Sequence, residues 1–215
     1  DPATGQIDPS WTLQARTGTN GGRVSVKSIK IINNHIYLGG IFTHFQGNGA
    51  SWTYARNGAR LDINGKPDRT WNPEFNGTVI DIDVDENETY YYAAGYFTRA
   101  HNRVVENAGR LSTAAGAELD QSWTFRHSYL IGKYQQTVTA ANGRVYFGGS
   151  QHSLFGYNSD SMTRTSGSIT MNNGGDLQAS TRSATGVVYA SCHCSDYTFQ
   201  DAYQYLTLGT SWTRA

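Results

Sequence analysis

Tyr37-Leu-Gly-Gly-Ile-Phe-Thr43 decides the fold, because the chain returns to it. Tyr92-Ala-Ala-Gly-Tyr-Phe-Thr98 repeats the phrase, and Tyr146-Phe-Gly-Gly149 and Tyr189-Ala-Ser-Cys192 repeat its first half. The four tyrosines stand 55, 54 and 43 residues apart. A second phrase interleaves with the first. It reads Gly5-x-x-Asp8-x-x-Trp11, Gly65-x-x-Asp68-x-x-Trp71 and Gly116-x-x-x-Asp120-x-x-Trp123. Self-similarity at about 50 residues marks an array of stacked supersecondary units.

Around these phrases the pattern has the period of strands. Residues 24–32 alternate imperfectly, turn at Asn33-Asn34, and return through 35–43. Residues 54–63 suit a third strand and 69–72 a short fourth, stopped by Pro73. Unit two repeats the plan. Ile80, Ile82 and Val84 alternate with Asp81, Asp83 and Asp85, the turn is Glu86-Asn87, and residues 90–98 return. Asn107-Ala-Gly-Arg-Leu111 matches Asn57-Gly-Ala-Arg-Leu61. Residues 136–140 with 144–150, and 177–182 with 187–191, form two further hairpins.

No segment has a helical period. Four short strands per unit predict an all-β fold, a β-propeller of four-stranded antiparallel blades. About four blades lie in this chain, either as a small ring or as part of a larger propeller. A β-sandwich with recurring hairpins is the competing architecture, but the repeat spans a whole four-strand unit rather than one hairpin. The units run over residues 15–75, 76–125, 133–175 and 176–215. Residues 1–14 form an outer strand that either closes the last unit or ends a preceding blade. Small residues on the second strand let backbones approach closely, and the tryptophan fills space between splayed blades.

The run 37–43, followed by Ala59-Arg-Leu61 and Gly65-x-x-Asp68-x-x-Trp71-Asn-Pro73, resembles the delta-60 repeat propeller family. Gly95, Phe97, Thr98, Arg110, Leu111, Asp120 and Trp123 keep the pattern in unit two. The likeness is good over residues 1–125 and weakens over 134–215. Those later residues look like divergent blades of exported actinobacterial propellers, and similar propellers look to be present in phage minor tail proteins. The resemblance implies an extracellular or surface-exposed recognition scaffold and carries no catalytic motif.

Composition narrows the partners. Lys plus Arg and Asp plus Glu both number 17, so there is no basic field of the kind nucleic acid requires. No run of 18 apolar residues exists, which argues against membrane insertion by a helix. Aromatic residues make up 13% of the chain, enough for a packed core. Plentiful Tyr and Gly with few charges resemble an exported protein.

Candidate sites fall where the repeat breaks. Trp52 sits in an insertion at 46–53, Tyr54 directly follows it, and Tyr197, Phe199, Tyr203 and Tyr205 cluster after the cysteines. Aromatics among amides and carboxylates suit sugar stacking or a protein contact, although packing inside a blade is the competing reading. Cys192 and Cys194 flank His193. The spacing is too tight for a usual zinc knuckle and leaves a disulfide, free thiols or metal ligation open. His44, His101, His152 and His193 follow the tyrosine strands at unequal offsets, so they read as scattered loop residues. Asp81, Asp83 and Asp85 are ligands of the kind calcium takes, but the EF-hand pattern is absent and an inter-blade polar face is the stronger reading. No other metal or cofactor is expected.

No nucleophile elbow, zinc-protease helix or phosphate loop occurs. Asp62, Asp68, Glu74 and Asp120 could supply a glycosidase pair, yet Asp68 and Asp120 belong to the repeat. The expected function is a non-enzymatic module, extracellular or on the cell surface, that binds a glycan or protein through its loop face. A structural or host-recognition part of a phage tail or surface appendage, with oligomerisation in a larger assembly, is the alternative. A propeller glycosidase ranks third.

Overall fold

The computed structural model describes residues 3–18, 22–125, 134–150, 152–170, 175–194, 197–200 and 213–214. Every described element is a strand. In chain order they are β1 (Gln14–Arg16), β2 (Ser25–Ile32), β3 (His35–Ile41), β4 (His44–Gln46), β5 (Thr53–Tyr54), β6 (Gly58–Asp62), β7 (Val79–Val84), β8 (Tyr90–Gly95), β9 (Arg99–Ala100), β10 (Arg103–Val104), β11 (Ala108–Ser112), β12 (Gln135–Ala141), β13 (Arg144–Gly149), β14 (Ser153–Asn158), β15 (Arg164–Thr170), β16 (Leu177–Arg182), β17 (Val188–Cys192), β18 (Tyr197–Gln200) and β19 (Thr213–Arg214).

They form the antiparallel blades of a β-propeller. Blade one is β2-β3-β6 and blade two is β7-β8-β11. Each gains an outer stub through a single bridge, Leu61 to Pro67 and Leu111 to Leu119. Blade three is β12-β13-β14-β15, widened at its outer edge by β18 and β19. Blade four shows the hairpin β16-β17. The strand β18 therefore joins blade three through the register Gly167 to Gln200, rather than continuing blade four.

The first two strands of every blade share one register and one bulge. Tyr37 pairs with Lys30, Tyr92 with Asp83, Tyr146 with Thr139 and Tyr189 with Thr181. The bulge falls at Val26/Ser28, Val79/Asp81, Gln135/Thr137 and Leu177/Ala179. It brings inner-strand backbone against the second strand, and this explains the small residues. A side chain at Gly40 would strike the Ser25 carbonyl, one at Gly95 the Thr78 carbonyl, and one at Gly149 the Tyr134 carbonyl. The preceding small residue serves the next blade: a Cβ at Gly39 would meet Val79 and Ile82, and one at Gly148 would meet Leu177.

The sequence reading of strand three needs one adjustment. Residues 54–63 do not form one strand, because Asn57 adopts φ 60°. Its side chain accepts from the Phe42 amide at 3.2 Å and donates to the Phe75 carbonyl at 2.8 Å, turning the chain before β6. Asn107, at φ 65°, also turns the chain before β11, its side-chain amide donating to the Phe97 carbonyl at 3.1 Å. Residues 69–72 also lie outside any strand. Asp68 instead closes a turn by accepting from the amide and hydroxyl of Thr70 at 2.8 and 2.7 Å. Asp8 with Ser10 and Asp120 with Ser122 build the same turn.

The repeat phrase joins one blade to the next. Trp71 is fully buried, edge-on to Tyr37 of its own blade and to Tyr91 of blade two, at 5.4 and 4.9 Å. Its indole N–H donates to the Ser112 carbonyl of blade two at 3.1 Å. Trp123 stacks on Phe147 of blade three. Arg60 grips Asp68 in its own blade and donates to the Thr113 carbonyl of blade two. Arg110 grips Asp120 and donates to the Ser159 and Asp160 carbonyls of blade three. One apolar cluster fills the junction of blades one and two, and a second fills that of blades two and three.

The aspartate ladder does the same work near the axis. Asp81 accepts from Ser28 of blade one at 2.8 Å and from the Val138 amide of blade three at 2.9 Å. Asp83 pairs with Lys30 of blade one at 2.5 Å and accepts from the Ala140 amide at 2.8 Å. Burial pushes the Asp81 carboxyl above its ordinary pKa, although four hydrogen bonds pull the other way. Asp85 caps its own turn through the Thr89 and Tyr90 amides. The bulge also places Val79, rather than Ile80, in the core beside Ile82 and Val84.

Candidate functional site

The insertion in blade one builds a small sheet of its own. Residues 44–54 leave between β3 and β6 as the hairpin β4-β5, and β1 adds to its edge. The register sorts its faces. Ala15, Phe45 and Thr53 lie opposite one another and turn inward, where Phe45 and Ala15 join Leu38, Leu61 and Phe42. Arg16, His44 and Tyr54 form the outward row. Trp52 follows the parity of Tyr54. The Arg16 guanidinium lies 4.3 Å above the Trp52 ring, and the His44 and Tyr54 rings meet edge-on at 5.4 Å. Tyr54 and Arg16 are exposed and Trp52 is half-buried.

A cleft of about 690 Å³ lies on the other side of β5 from this row, with Ala50, Ser51, Asp62, Lys66, Asp68 and Arg69 among its lining residues, and none of Arg16, His44, Trp52 and Tyr54 lines it. Ser51 and Thr53, the neighbours of Trp52, both face it. Its wall carries both signs of charge and the hydroxyls of Ser51 and Thr53. The cleft can hydrogen-bond a polar group, and the outward row separately offers the flat apolar area of Trp52 and Tyr54. The loop is held firmly: Asn48 accepts from the Thr12 amide at 2.7 Å and donates to the Asn64 carbonyl at 2.9 Å.

The other predicted residues that are described lie elsewhere in the fold. Of Tyr197 and Phe199 only the backbone is described, in β18 at the edge of blade three. Tyr203 and Tyr205 lie outside the described residues. Cys192 and Cys194 are joined as a disulfide, with Cα atoms 5.3 Å apart. His44 and His101 stand apart, while His152 and His193 both neighbour Asp176, whose carbonyl accepts from the His193 amide at 3.0 Å. His44 meets Tyr54, His101 faces the Ala117 carbonyl at 3.1 Å, and His152 lies 3.8 Å from Asp176. Among the described residues, no three His, Cys, Asp or Glu side chains group as metal ligands. Arg16 was not anticipated. Its signal is weak, since only the pairing of β1 with β4 carries it to Trp52.

The glycosidase candidates have structural tasks. Burial would raise Asp68 and Asp120, but the hydrogen bonds outweigh it. Arg60 and Thr70 hold Asp68 below the ordinary aspartate value, and Ser122 and Arg110 do so for Asp120. Asp62 accepts from the Asn64 and Lys66 amides.

No protein-family model and no curated protein matches the chain. Solved structures match in shape. The chain aligns over 94% of its length with 56% of the RRP9 WD40-repeat chain, at a TM-score of 0.56 and 8% identity. It aligns over 94% with 54% of U3-55K, at 0.57 and 6% identity. It also aligns over 94% with 51% of the computationally designed Ika8 protein, at 0.51 and 8% identity. These likenesses establish the propeller fold. The chain spans about half the length of these three solved chains.

Proposed function

We propose that the chain is a non-enzymatic binding module that engages a partner protein through the outward face of β1-β4-β5. The carrying observation is the row Arg16, His44, Tyr54 with Trp52, an exposed aromatic and cationic surface on an insertion pinned to a rigid blade. The tethered carboxylates support a non-catalytic role, since Asp68 and Asp120 are held ionised by structural bonds. A glycan is the second reading, favoured by the Trp52 and Tyr54 rings on one outward row. Display outside the cell is part of the proposal, and the disulfide of Cys192 and Cys194 supports it, because such bonds persist in oxidising compartments.

The test compares the wild-type chain with a Trp52→Ala/Tyr54→Ala variant in affinity capture and on a glycan array. A defined partner or glycan retained by wild type and lost by the equally folded variant supports the proposal. Ligands retained equally by both would exclude this surface.

A further inference from the structure

The cleft behind β5 is made by a departure from the repeat. Blade two turns between β9 and β10 through His101 and Asn102 alone, whereas residues 47–52 separate β4 from β5 in blade one. The longer tip folds down on the outer turn of its own blade. A Cβ at Gly47 would strike the Gly65 carbonyl, and the Asn48 side-chain amide donates to the Asn64 carbonyl at 2.9 Å. These contacts tie two walls together, residues 49–53 on one side and residues 62–69 on the other.

Shared pairings align the two blades residue by residue. Leu61 bridges Pro67 as Leu111 bridges Leu119, and the Asp62 amide donates to the Lys66 carbonyl as the Ser112 amide donates to the Glu118 carbonyl. Asp62 pairs with His35 as Ser112 pairs with Tyr90. Pro67 and Asp68 therefore hold scaffold positions. Where blade two has Tyr90, Ser112, Glu118 and Gln121, blade one has His35, Asp62, Lys66 and Arg69. All four of these ionisable side chains line the cleft.

Their charges are unequally paired. Arg60 neutralises Asp68, and Glu88 meets His35 at 2.5 Å. Asp62 accepts from two backbone amides through one carboxylate oxygen, and its other oxygen has no partner among the described residues. Lys66 and Arg69 form no ion pair among the described residues. Two cations thus stand against one open carboxylate. Thr53 is only 6% exposed, and its hydroxyl reaches the Ser51 carbonyl at 3.5 Å, the outer limit of a hydrogen bond.

We infer that this cleft binds a sugar acid, a hydroxyl-bearing ring with one carboxylate. Its volume suits a small ligand. Arg69 and Lys66 take the carboxylate, the arginine through its planar fork. Asp62 accepts from ring hydroxyls, and Ser51 and Thr53 complete the polar wall. A bare carboxylate would leave Asp62 without a donor, and a neutral sugar would leave the excess cation unmet. The site is separate from the outward row of Trp52 and Tyr54, so it stands or falls independently of a partner protein there.

Nuclear magnetic resonance titrations with methyl glucuronide, methyl glucoside and acetate test the inference. Methyl glucuronide is expected to shift the amides of residues 49–53 and 62–69, and to bind about tenfold or more tighter than either of the others. Lys66→Glu and Arg69→Gln each introduce the residue that blade two carries on the same turn. Each is expected to weaken methyl glucuronide about tenfold or more at an unchanged melting temperature. Arg103→Gln, at an exposed cation on β10 outside the cleft, is expected to bind as wild type does. No response to methyl glucuronide, equal binding of methyl glucoside or acetate, wild-type binding by Lys66→Glu and Arg69→Gln, or an equal loss in Arg103→Gln would overturn the inference.

Discussion

Arg110 donates through Nε to Asp120 at 2.9 Å and, in the same pose, reaches the Ser159 and Asp160 carbonyls of the next blade. Arg60 and Asp68 repeat the relationship one blade earlier, at 3.0 Å. The aspartate fixes the guanidinium, and the guanidinium caps a neighbour's turn.

The planar fork of arginine makes this double contact, and a lysine would make one half of it. Arg110→Lys is expected to cost about 1–2 kcal/mol, and Arg110→Met about 3 kcal/mol, since it leaves Asp120 and two carbonyls without their donor. Urea unfolding followed by tryptophan fluorescence measures both.

The same pairs set an acid limb. The folded-state pKa values of Asp68 and Asp120 are depressed, so their stabilisation is complete above the ordinary aspartate value of 3.8. It is lost as pH falls through the depressed values. Asp81, whose pKa is raised, has the opposite sign. Its contribution is greatest below the ordinary value and declines as pH rises through the raised one. Melting temperatures of Asp68→Asn/Asp120→Asn are expected to fall less steeply than wild type below about pH 4.

Two glycines in blade two separate strain from composition. Gly95→Ala places a methyl on the Thr78 carbonyl and is expected to destabilise by about 2 kcal/mol. Gly109→Ala meets nothing closer than 3.5 Å and is expected to be neutral or slightly stabilising. Thermal melts of the two variants check the contrast.

Trp52→Ala is expected to change stability by less than about 1 kcal/mol while removing the binding proposed above. Its ring is half-buried and packs on the exposed Arg16 rather than in an apolar cluster. Thermal melting and ligand titration on the same sample test both halves.

Much of this fold was legible because strands repeat locally. The alternation of 79–84 gave the bounds of β7, and the tyrosine phrase located the second strand of every blade. The bulge was not legible, since nothing in Val79-Ile-Asp81 marks which isoleucine or valine faces the core. The clamp was half legible. Arg60 and Asp68 stand eight residues apart within one phrase, but the carbonyl acceptor at Thr113 lies 53 residues further on and leaves no mark on side-chain choice. The site was read through its aromatics at 52 and 54. Its cationic partner, Arg16, needed the pairing of β1 with β4 to bring it near. Asn57 hid the break between β5 and β6, because an asparagine in a left-handed turn looks like any polar residue in an alternating run.

The central claim is that the Gly-Asp-Trp phrase is mortar between blades, so its energetic weight depends on having a blade packed on each side of it. Trp71 and Trp11 occupy the same place in the phrase, yet Trp71 is fully buried in a junction and Trp11 is 40% exposed. The direct measurement is the unfolding free energy of Trp71→Ala beside that of Trp11→Ala, under conditions where the chain is monomeric. Trp71→Ala is expected to cost about 3–5 kcal/mol and Trp11→Ala less than about 1 kcal/mol. Equal costs at the two positions would contradict the account.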